Sequence, residues 1–277
     1  MRIRPAAVAG SWYPGTRGAL ERDVDIYLSA ASPGPGGVVT AIISPHAGLM
    51  FSGPVAAYAY KAISSAEYEV AVLVGPSHYV GFDGVALYSE GGFESPLGVA
   101  CIDDEGAQAI AASSIVQELP SAHRREHSLE MQLPFLQRVL PDVKIVPLLM
   151  GYQTRDTIGA LASALASSFA ARRTLLIAST DLSHYFDAKT ATALDSRVQH
   201  AVNTFNADGL LDIFEEYPEH ERGRYVACGG GPAISVLMAA RMMGAREARV
   251  LKYAHSGEIS GDYDAVVGYL AAAIGLF

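Results

Sequence analysis

Three apolar runs in this chain of 277 residues end in the same way, with a break into polar residues and then a histidine. Each run has the length and the branched apolar content of a buried β-strand. The runs and their histidines are residues 37–44 with His46, residues 69–75 with His78, and residues 174–179 with His184. Ligands of open α/β sheets bind beyond the carboxyl ends of the strands. We therefore expect the three strands to lie side by side and the three imidazoles to converge.

The segments between these runs mostly show the apolar spacing of helices. The predicted helices are residues 16–31, 53–65, 103–113, 154–171, 189–205, 207–217 and 233–243. The other predicted strands are residues 85–89, 98–102, 143–150 and 249–255, with 265–277 as a final strand or helix and 218–224 as a polar, exposed stretch. Alternating strands and helices predict an α/β fold with a mostly parallel mixed sheet and helices on both faces. Because no linker or change of composition appears, we predict a single domain over residues 1–277.

Composition and charge exclude some classes of protein. The net charge of −9 and the lack of a basic patch argue against a nucleic-acid partner. The most apolar stretch, residues 265–277, is too short to cross a membrane, and Pro5 and Pro14 interrupt any signal peptide. The two cysteines, Cys101 and Cys228, are far apart and favour a reducing cytoplasm over a disulfide framework.

His46, His78 and Cys228 form the first group with possible chemistry. Two imidazoles and a thiolate can hold one transition-metal ion, and the sulfur favours soft or borderline ions. The alternative is that the histidines only form hydrogen bonds at the strand ends.

Asp181 and His184 form a second group, three residues apart. On a helical turn the carboxylate of Asp181 would orient the imidazole of His184, which could then act as a general acid or base. Alternatively, Asp181 is the N-cap of a helix.

His127 and Glu130 form a third pair in the segment EHSLEMQLPF. On a helix they could be metal ligands, or an acid and a base that support such ligands, or they could lie on a solvated face. Trp12, the sole tryptophan, is expected to serve packing. The other histidines are expected to be surface or structural residues: His123, His200, His220 and His255.

Cys228 also suggests a different chemistry. It precedes GGGP and a predicted helix, whose backbone N–H groups would lower the pKa of the thiol and could form an oxyanion hole. A nearby histidine would complete a metal-independent cysteine hydrolase. A buried thiol that serves only packing is the remaining alternative.

Six segments, spread in order along nearly the whole chain, resemble the Memo family. They are AGSWYP (9–14), SPHAG (44–48), GPSHY (75–79), EHSLEMQLPF (126–135), STDLSHY (179–185) and ACGGGP (227–232). Prokaryotic members of this family are called protein B of the AmmeMemoRadiSam system. The resemblance implies a fold similar to the LigB-type class III extradiol dioxygenases, which are non-haem iron enzymes.

The resemblance also implies roles for individual residues. The family's metal ligands correspond to His46, His78 and Cys228, with Asp181 and His184 in the same pocket. His127 and Glu130 fall in a shared segment of the family, and Trp12 matches a tryptophan at the pocket mouth.

The implied function is redox chemistry on an unidentified small molecule, with iron as the cofactor and copper as the alternative. The family name suggests a radical-SAM partner. Animal Memo proteins suggest a non-enzymatic, peptide-binding role instead, but they have bulkier residues where this chain has Gly229, Gly230 and Gly231.

Overall fold

The computed structural model describes residues 2–277. Twelve strands are present: β1 (Ile3–Arg4), β2 (Val38–Ser44), β3 (Val70–Pro76), β4 (Val85–Leu87), β5 (Gly92–Ser95), β6 (Gly98–Cys101), β7 (Val116–Glu118), β8 (Lys144–Met150), β9 (Thr174–Ser179), β10 (His184–Phe186), β11 (Glu247–His255) and β12 (Val266–Leu276). Nine of them form one sheet in the order β10-β12-β2-β9-β3-β8-β4-β7, with β11 also paired to β12. The remaining three form a small sheet in the order β1-β5-β6.

The helices are α1 (Arg17–Ala30), α2 (Leu49–Lys61), α3 (Asp104–Ala111), α4 (Pro120–His123), α5 (Leu133–Val139), α6 (Arg155–Phe169), α7 (Ala188–Asn203), α8 (Ala207–Glu215), α9 (Glu219–Tyr225), α10 (Gly230–Met242) and α11 (Gly257–Ser260). One 3₁₀ turn, Glu130–Gln132, precedes α5. Within residues 2–277, no helix combines the length and the apolar composition that crossing a bilayer requires.

The middle of the large sheet is parallel. β2 pairs with β9, β9 with β3, and β3 with β8, all in parallel. Every residue of β3 is buried, as expected for a strand with a covered face on each side. Antiparallel pairs flank this centre, β12 against β2 on one side and β4 against β8 on the other.

Helices cover the sheet. α2 packs on β2 and β12 and contacts α1 and α5, while α10 packs on β9 and β3 and contacts α6 and α8. The predicted α/β fold with a mixed sheet and helices on both faces is confirmed, and it is consistent with the LigB-like fold that the resemblance implies.

Three local predictions were wrong. α2 begins at Leu49 rather than at residue 53, because the backbone N–H of Ser52 already donates to the carbonyl of Gly48 (3.1 Å), and Pro54 lies inside the helix. Residues 219–225 form helix α9, in which no residue is buried but four are half-buried, so this stretch is less exposed than the sequence predicts. No helical turn forms after β9, because the backbone N–H of Leu182 donates to Gly268 and that of Gly268 donates to Ser183, and His184 joins β10, which pairs with β12.

Candidate metal centre

Neighbouring strands bring His46 and His78 together. β2 and β9 are in register, with Ser44 opposite Ser179, so both strands stop at the same edge of the sheet. β3 lies on the other side of β9 and delivers His78 to that edge. Cys228 reaches the same point from the loop before α10. The nitrogen and sulfur atoms that His46, His78 and Cys228 can offer to a metal all lie within 4.8 Å of one another.

Buried hydrogen bonds fix the ring of His46. Its Nδ1 lies 2.9 Å from Oγ of Ser179. That hydroxyl donates its hydrogen to the carbonyl of Ser128 (2.6 Å) and accepts a hydrogen bond from Nε2 of Gln132 (2.7 Å). Since the hydroxyl hydrogen is already used, Nδ1 of His46 must be the donor to Ser179. Nε2 is then left for a ligand, and it lies 3.2 Å from Sγ of Cys228.

Glu126 fixes the ring of His78 in a similar way. One carboxylate oxygen accepts a hydrogen bond from Nδ1 of His78 (2.9 Å) and the other from its backbone N–H (2.6 Å). The backbone N–H groups of His127 and Ser128 also donate to Glu126, both at 2.9 Å. A carboxylate behind a histidine is the usual support of a metal ligand, because it sets the tautomer and raises the basicity of the free nitrogen.

The thiol of Cys228 is poised to ionise. Burial alone would raise its pKa, but the nearby imidazoles of His46 and His78 outweigh that effect and lower the pKa to about 6. Burial would likewise lower the pKa of His78, yet hydrogen bonds with Cys228 and Glu126 raise it to about 10. The backbone N–H of Asp181 adds a contact of 3.4 Å to the sulfur. These shifts favour a thiolate at Cys228 beside a protonated His78, and a metal ion that bound here would displace the proton of His78.

Asp181 contacts the main chain of His46 rather than the ring of His184. Its Oδ1 accepts a hydrogen bond of 2.7 Å from the backbone N–H of His46. Burial raises the pKa of this carboxyl. Within the described chain, no hydrogen bond joins Asp181 to His184, and the buried Nδ1 of His184 has no partner. The predicted orientation of His184 by Asp181 is therefore not seen as a direct contact.

A cavity of about 480 Å³ opens above these residues. His127 is 6% exposed and its ring stacks on His78 at 4.5 Å, at an interplanar angle of 15°. Trp12 packs against His127 with ring centres 4.3 Å apart and an interplanar angle of 50°. Trp12 is 37% exposed, so it forms the cavity mouth rather than part of the core. His184 lines the cavity from β10, where the next residue, Tyr185, has a left-handed φ of 62°.

Glu130 belongs to a different cluster from His127. It is fully buried and forms an ion pair of 2.6 Å with Arg4. It also accepts hydrogen bonds from the hydroxyl of Tyr13 and from the backbone N–H groups of Ala7 and Val8. Because residues 130–132 form a 3₁₀ turn, the side chain of Glu130 holds the N-terminal arm and does not line the cavity.

Two supporting residues escaped the sequence reasoning. Glu126 stands directly before His127, but its contact with His78 spans 48 positions and has no signature in the spacing. For Ser179, the last residue of β9, the sequence predicts only that it ends a strand. Its position opposite Ser44 is visible only once the register of the sheet is known.

The backbone around Cys228 explains the glycines there. A Cβ on Gly229 would lie 2.4 Å from the carbonyl oxygen of Ser179, and one on Gly230 would lie 2.3 Å from the ring of Phe214. Residues with a side chain at positions 229 and 230 would therefore not fit this backbone. The backbone N–H groups that were expected to form an oxyanion hole already have protein acceptors. That of Gly229 donates to Thr180 (2.9 Å) and that of Gly231 to Gln153 (2.8 Å).

Comparisons with known proteins agree with this architecture. The Memo-like protein family model matches residues 4–273. A MEMO1 family protein of Methanosarcina mazei is 37% identical over 277 residues, covering 99% of this chain and all of the relative. One of Nitrosopumilus maritimus is 35% identical and covers 96% of this chain and 98% of the relative.

A solved structure extends the comparison to the fold. The crystal structure of an uncharacterized Escherichia coli K12 protein, JW3007, aligns with a TM-score of 0.56 at 13% identity, over 86% of this chain and 100% of that chain. At this identity the likeness concerns the fold alone. The family model and the relatives cover nearly the whole sequence, and the chain belongs to the Memo family.

Proposed function

We propose that the chain is a redox enzyme with one metal ion held by His46, His78 and Cys228, with iron as the first choice and copper as the second. The observation that carries the proposal is the arrangement of the two imidazoles. Each Nδ1 is committed to a protein acceptor, Ser179 or Glu126, and each ring faces Cys228 with its remaining nitrogen. An N₂S set with a low-pKa thiolate suits soft and borderline transition ions.

The surrounding residues would bind and protonate a small molecule. When bound, the metal would supply one-electron redox chemistry and Lewis acidity. His184 lines the cavity and its buried Nδ1 lacks a protein partner, so its ring is free to exchange a proton with a bound molecule. Asp181 would act as a positioning residue through the backbone of His46. Trp12 and His127 would exclude water from one side of the cavity.

The test is anaerobic reconstitution with Fe(II), Cu(I) and Zn(II) in turn, followed by desalting and elemental analysis. Wild type is expected to retain about one iron or copper ion per chain, and His46→Ala and His78→Ala are expected to lose it. The matched control is His200→Ala, which removes an exposed histidine from α7. Circular dichroism checks that each variant is folded. Unchanged metal content in both ligand variants would refute the site, and retention of zinc alone would refute the redox role.

The low pKa of Cys228 favours a second candidate, a metal-independent cysteine hydrolase. Against it, the backbone N–H groups of Gly229 and Gly231 already donate to protein acceptors and cannot serve an oxyanion. Hydrolysis of ester substrates by chelator-treated protein, abolished by alkylation of Cys228, would favour this candidate. The reduced state of both cysteines fits the cytoplasmic location that we propose for either enzyme.

A further inference from the structure

The cavity above the proposed metal site has one cationic side chain with a permanent charge. Its lining includes the rings of Trp12, His127 and Tyr185, and Arg224 is the only arginine or lysine among the lining residues. The chain as a whole carries a net charge of −9. Arg224 therefore places a positive charge at the cavity of a protein whose net charge is negative.

Arg224 is held in place without a counterion. Its guanidinium lies 4.8 Å from the ring centre of Phe186 and 5.8 Å from that of Tyr225. Tyr217 stacks on Tyr225, with ring centres 4.6 Å apart and an interplanar angle of 14°, and so holds the Tyr225 ring in place. Stacking fixes the plane of a guanidinium and leaves the N–H groups at its edge free. Among the described residues, no side chain or carbonyl accepts a hydrogen bond from Arg224, and no carboxylate lies within ion-pair distance of it.

Several other arginines of this chain donate hydrogen bonds to protein groups. Arg138 forms a two-pronged pair with Asp25, at 2.7 and 2.9 Å, and Arg172 forms one with Asp103, at 2.7 and 3.1 Å. Arg222, next but one to Arg224 on α9, donates to the carbonyls of Tyr217 and Gln153. Within the described residues, Arg124, Arg125 and Arg246 also lack a side-chain hydrogen bond, but of these four arginines Arg224 alone lines the cavity.

We propose that Arg224 binds the carboxylate of a small monoanionic ligand whose apolar body lies in the cavity against Trp12 and His127. A guanidinium edge matches a carboxylate with two parallel hydrogen bonds. This proposal names the ligand class of the proposed enzyme and depends on that function only for the turnover of what binds.

The permanent charge of the lining fits a monoanion. Arg224 is the only arginine or lysine in the lining. Its one positive charge matches the single charge of a carboxylate, whose two oxygens can accept parallel hydrogen bonds from the guanidinium edge.

Trp12 provides the measurement, because the only tryptophan of the chain lies in this cavity. We would titrate the full-length protein with benzoate and with its neutral analogue benzamide, at constant ionic strength, and follow tryptophan fluorescence. Benzoate is expected to give a saturable change and to bind about tenfold more tightly than benzamide, the preference that one charge-assisted hydrogen-bonded pair supplies.

Three variants assign the preference to Arg224. Arg224→Gln should bind benzoate and benzamide within about twofold of each other, since the charge-assisted pair is lost. Arg224→Lys keeps the charge and should retain part of the preference. Arg246→Gln removes an exposed arginine that lies just before β11 and does not line the cavity, and this variant should behave as wild type.

Several results would overturn the proposal: no saturable change with benzoate, an unchanged preference in Arg224→Gln, or tighter binding of phenyl phosphate than of benzoate. Running each titration on chelator-treated and on metal-reconstituted protein separates this proposal from the metal site. Arg224-dependent binding in chelator-treated protein, together with failure of the reconstituted protein to retain iron or copper, would support the anion site and contradict only the proposed redox function.

Discussion

Glu126 and Glu130 lie four positions apart on one segment and are both almost completely buried, yet they support two different regions. Glu126 accepts hydrogen bonds from His78 and from the backbone beside it, and so belongs to the candidate metal centre. Glu130 accepts them from Arg4, Tyr13 and the N-terminal arm. Burial of a carboxylate therefore does not by itself identify a functional site.

The difference between the two regions lies in which polar atoms remain free. Around Glu130, the guanidinium of Arg4 is committed to that carboxylate and to the carbonyls of His123 and Glu126. Nδ1 of His123 in that region also lacks a partner, but His123 does not line the cavity. At the candidate metal centre, the buried Nδ1 atoms without partners in the described chain belong to His127 and His184, and both residues line the cavity. Unpartnered groups that converge on a cavity are costly to stability and are typical of binding sites.

The largest expected effect comes from breaking the ion pair of Glu130. Glu130→Gln leaves the buried guanidinium of Arg4 without a countercharge, and we expect the free energy of unfolding to fall by about 3–5 kcal/mol. Urea denaturation measures it. The control, Glu216→Gln, breaks the exposed pair with Arg197 and should cost about 1 kcal/mol or less. A loss for Glu130→Gln no larger than that of the control would contradict the structural role.

A smaller effect, of a different kind, is expected at Glu126. Glu126→Gln removes the carboxylate behind His78, and metal affinity should fall by about 10–100-fold, as for other groups that support metal ligands. Competition with a chelator of known affinity measures the change. Glu130→Gln, assayed at a temperature where it stays folded, should keep wild-type affinity. If both variants bound metal equally well, the two glutamates would not differ as we describe.

The smallest effect concerns His123, which lies beside Arg4 in the structural region. Burial lowers its pKa to about 3, so the folded protein keeps it neutral while the unfolded chain protonates it below about pH 6.5. The unfolded state binds more protons in this window, and stability falls as the pH is lowered through it. Between pH 6.5 and 5.5 the contribution of His123 should be about 1.4 kcal/mol at most. His123→Phe should show a correspondingly flatter dependence of stability on pH, and an identical slope would count against a buried neutral His123.

Local patterns were sufficient to predict the strands that carry the site. The apolar runs before His46 and His78 predicted β2 and β3, and the shared edge of a parallel sheet predicted that these residues would meet. The sequence could not reveal contacts that depend on register or on distant segments. The side-chain hydrogen bonds between Ser179 and His46 and between Glu126 and His78 are contacts of this kind.

Other differences have a local physical cause. Glu130 was grouped with His127 on the assumption of a regular helix, but the 3₁₀ turn and the buried Arg4 direct it elsewhere. Similarly, His123 and His255 lie in the interior, whereas His200 and His220 are exposed, although all four were expected together as surface or structural residues. For Glu130 and His123 the partner comes from a distant element, Arg4 and the carbonyl of Ala86 respectively.

The most direct test of the central claim is the metal content of untagged protein purified without oxygen, compared between wild type and Cys228→Ser. The serine keeps the size of the side chain but lacks the low-pKa sulfur that lies 3.2 Å from Nε2 of His46. The account predicts near-stoichiometric iron or copper in wild type and its loss in the variant. No metal in either protein, or the same metal content in both, would contradict it.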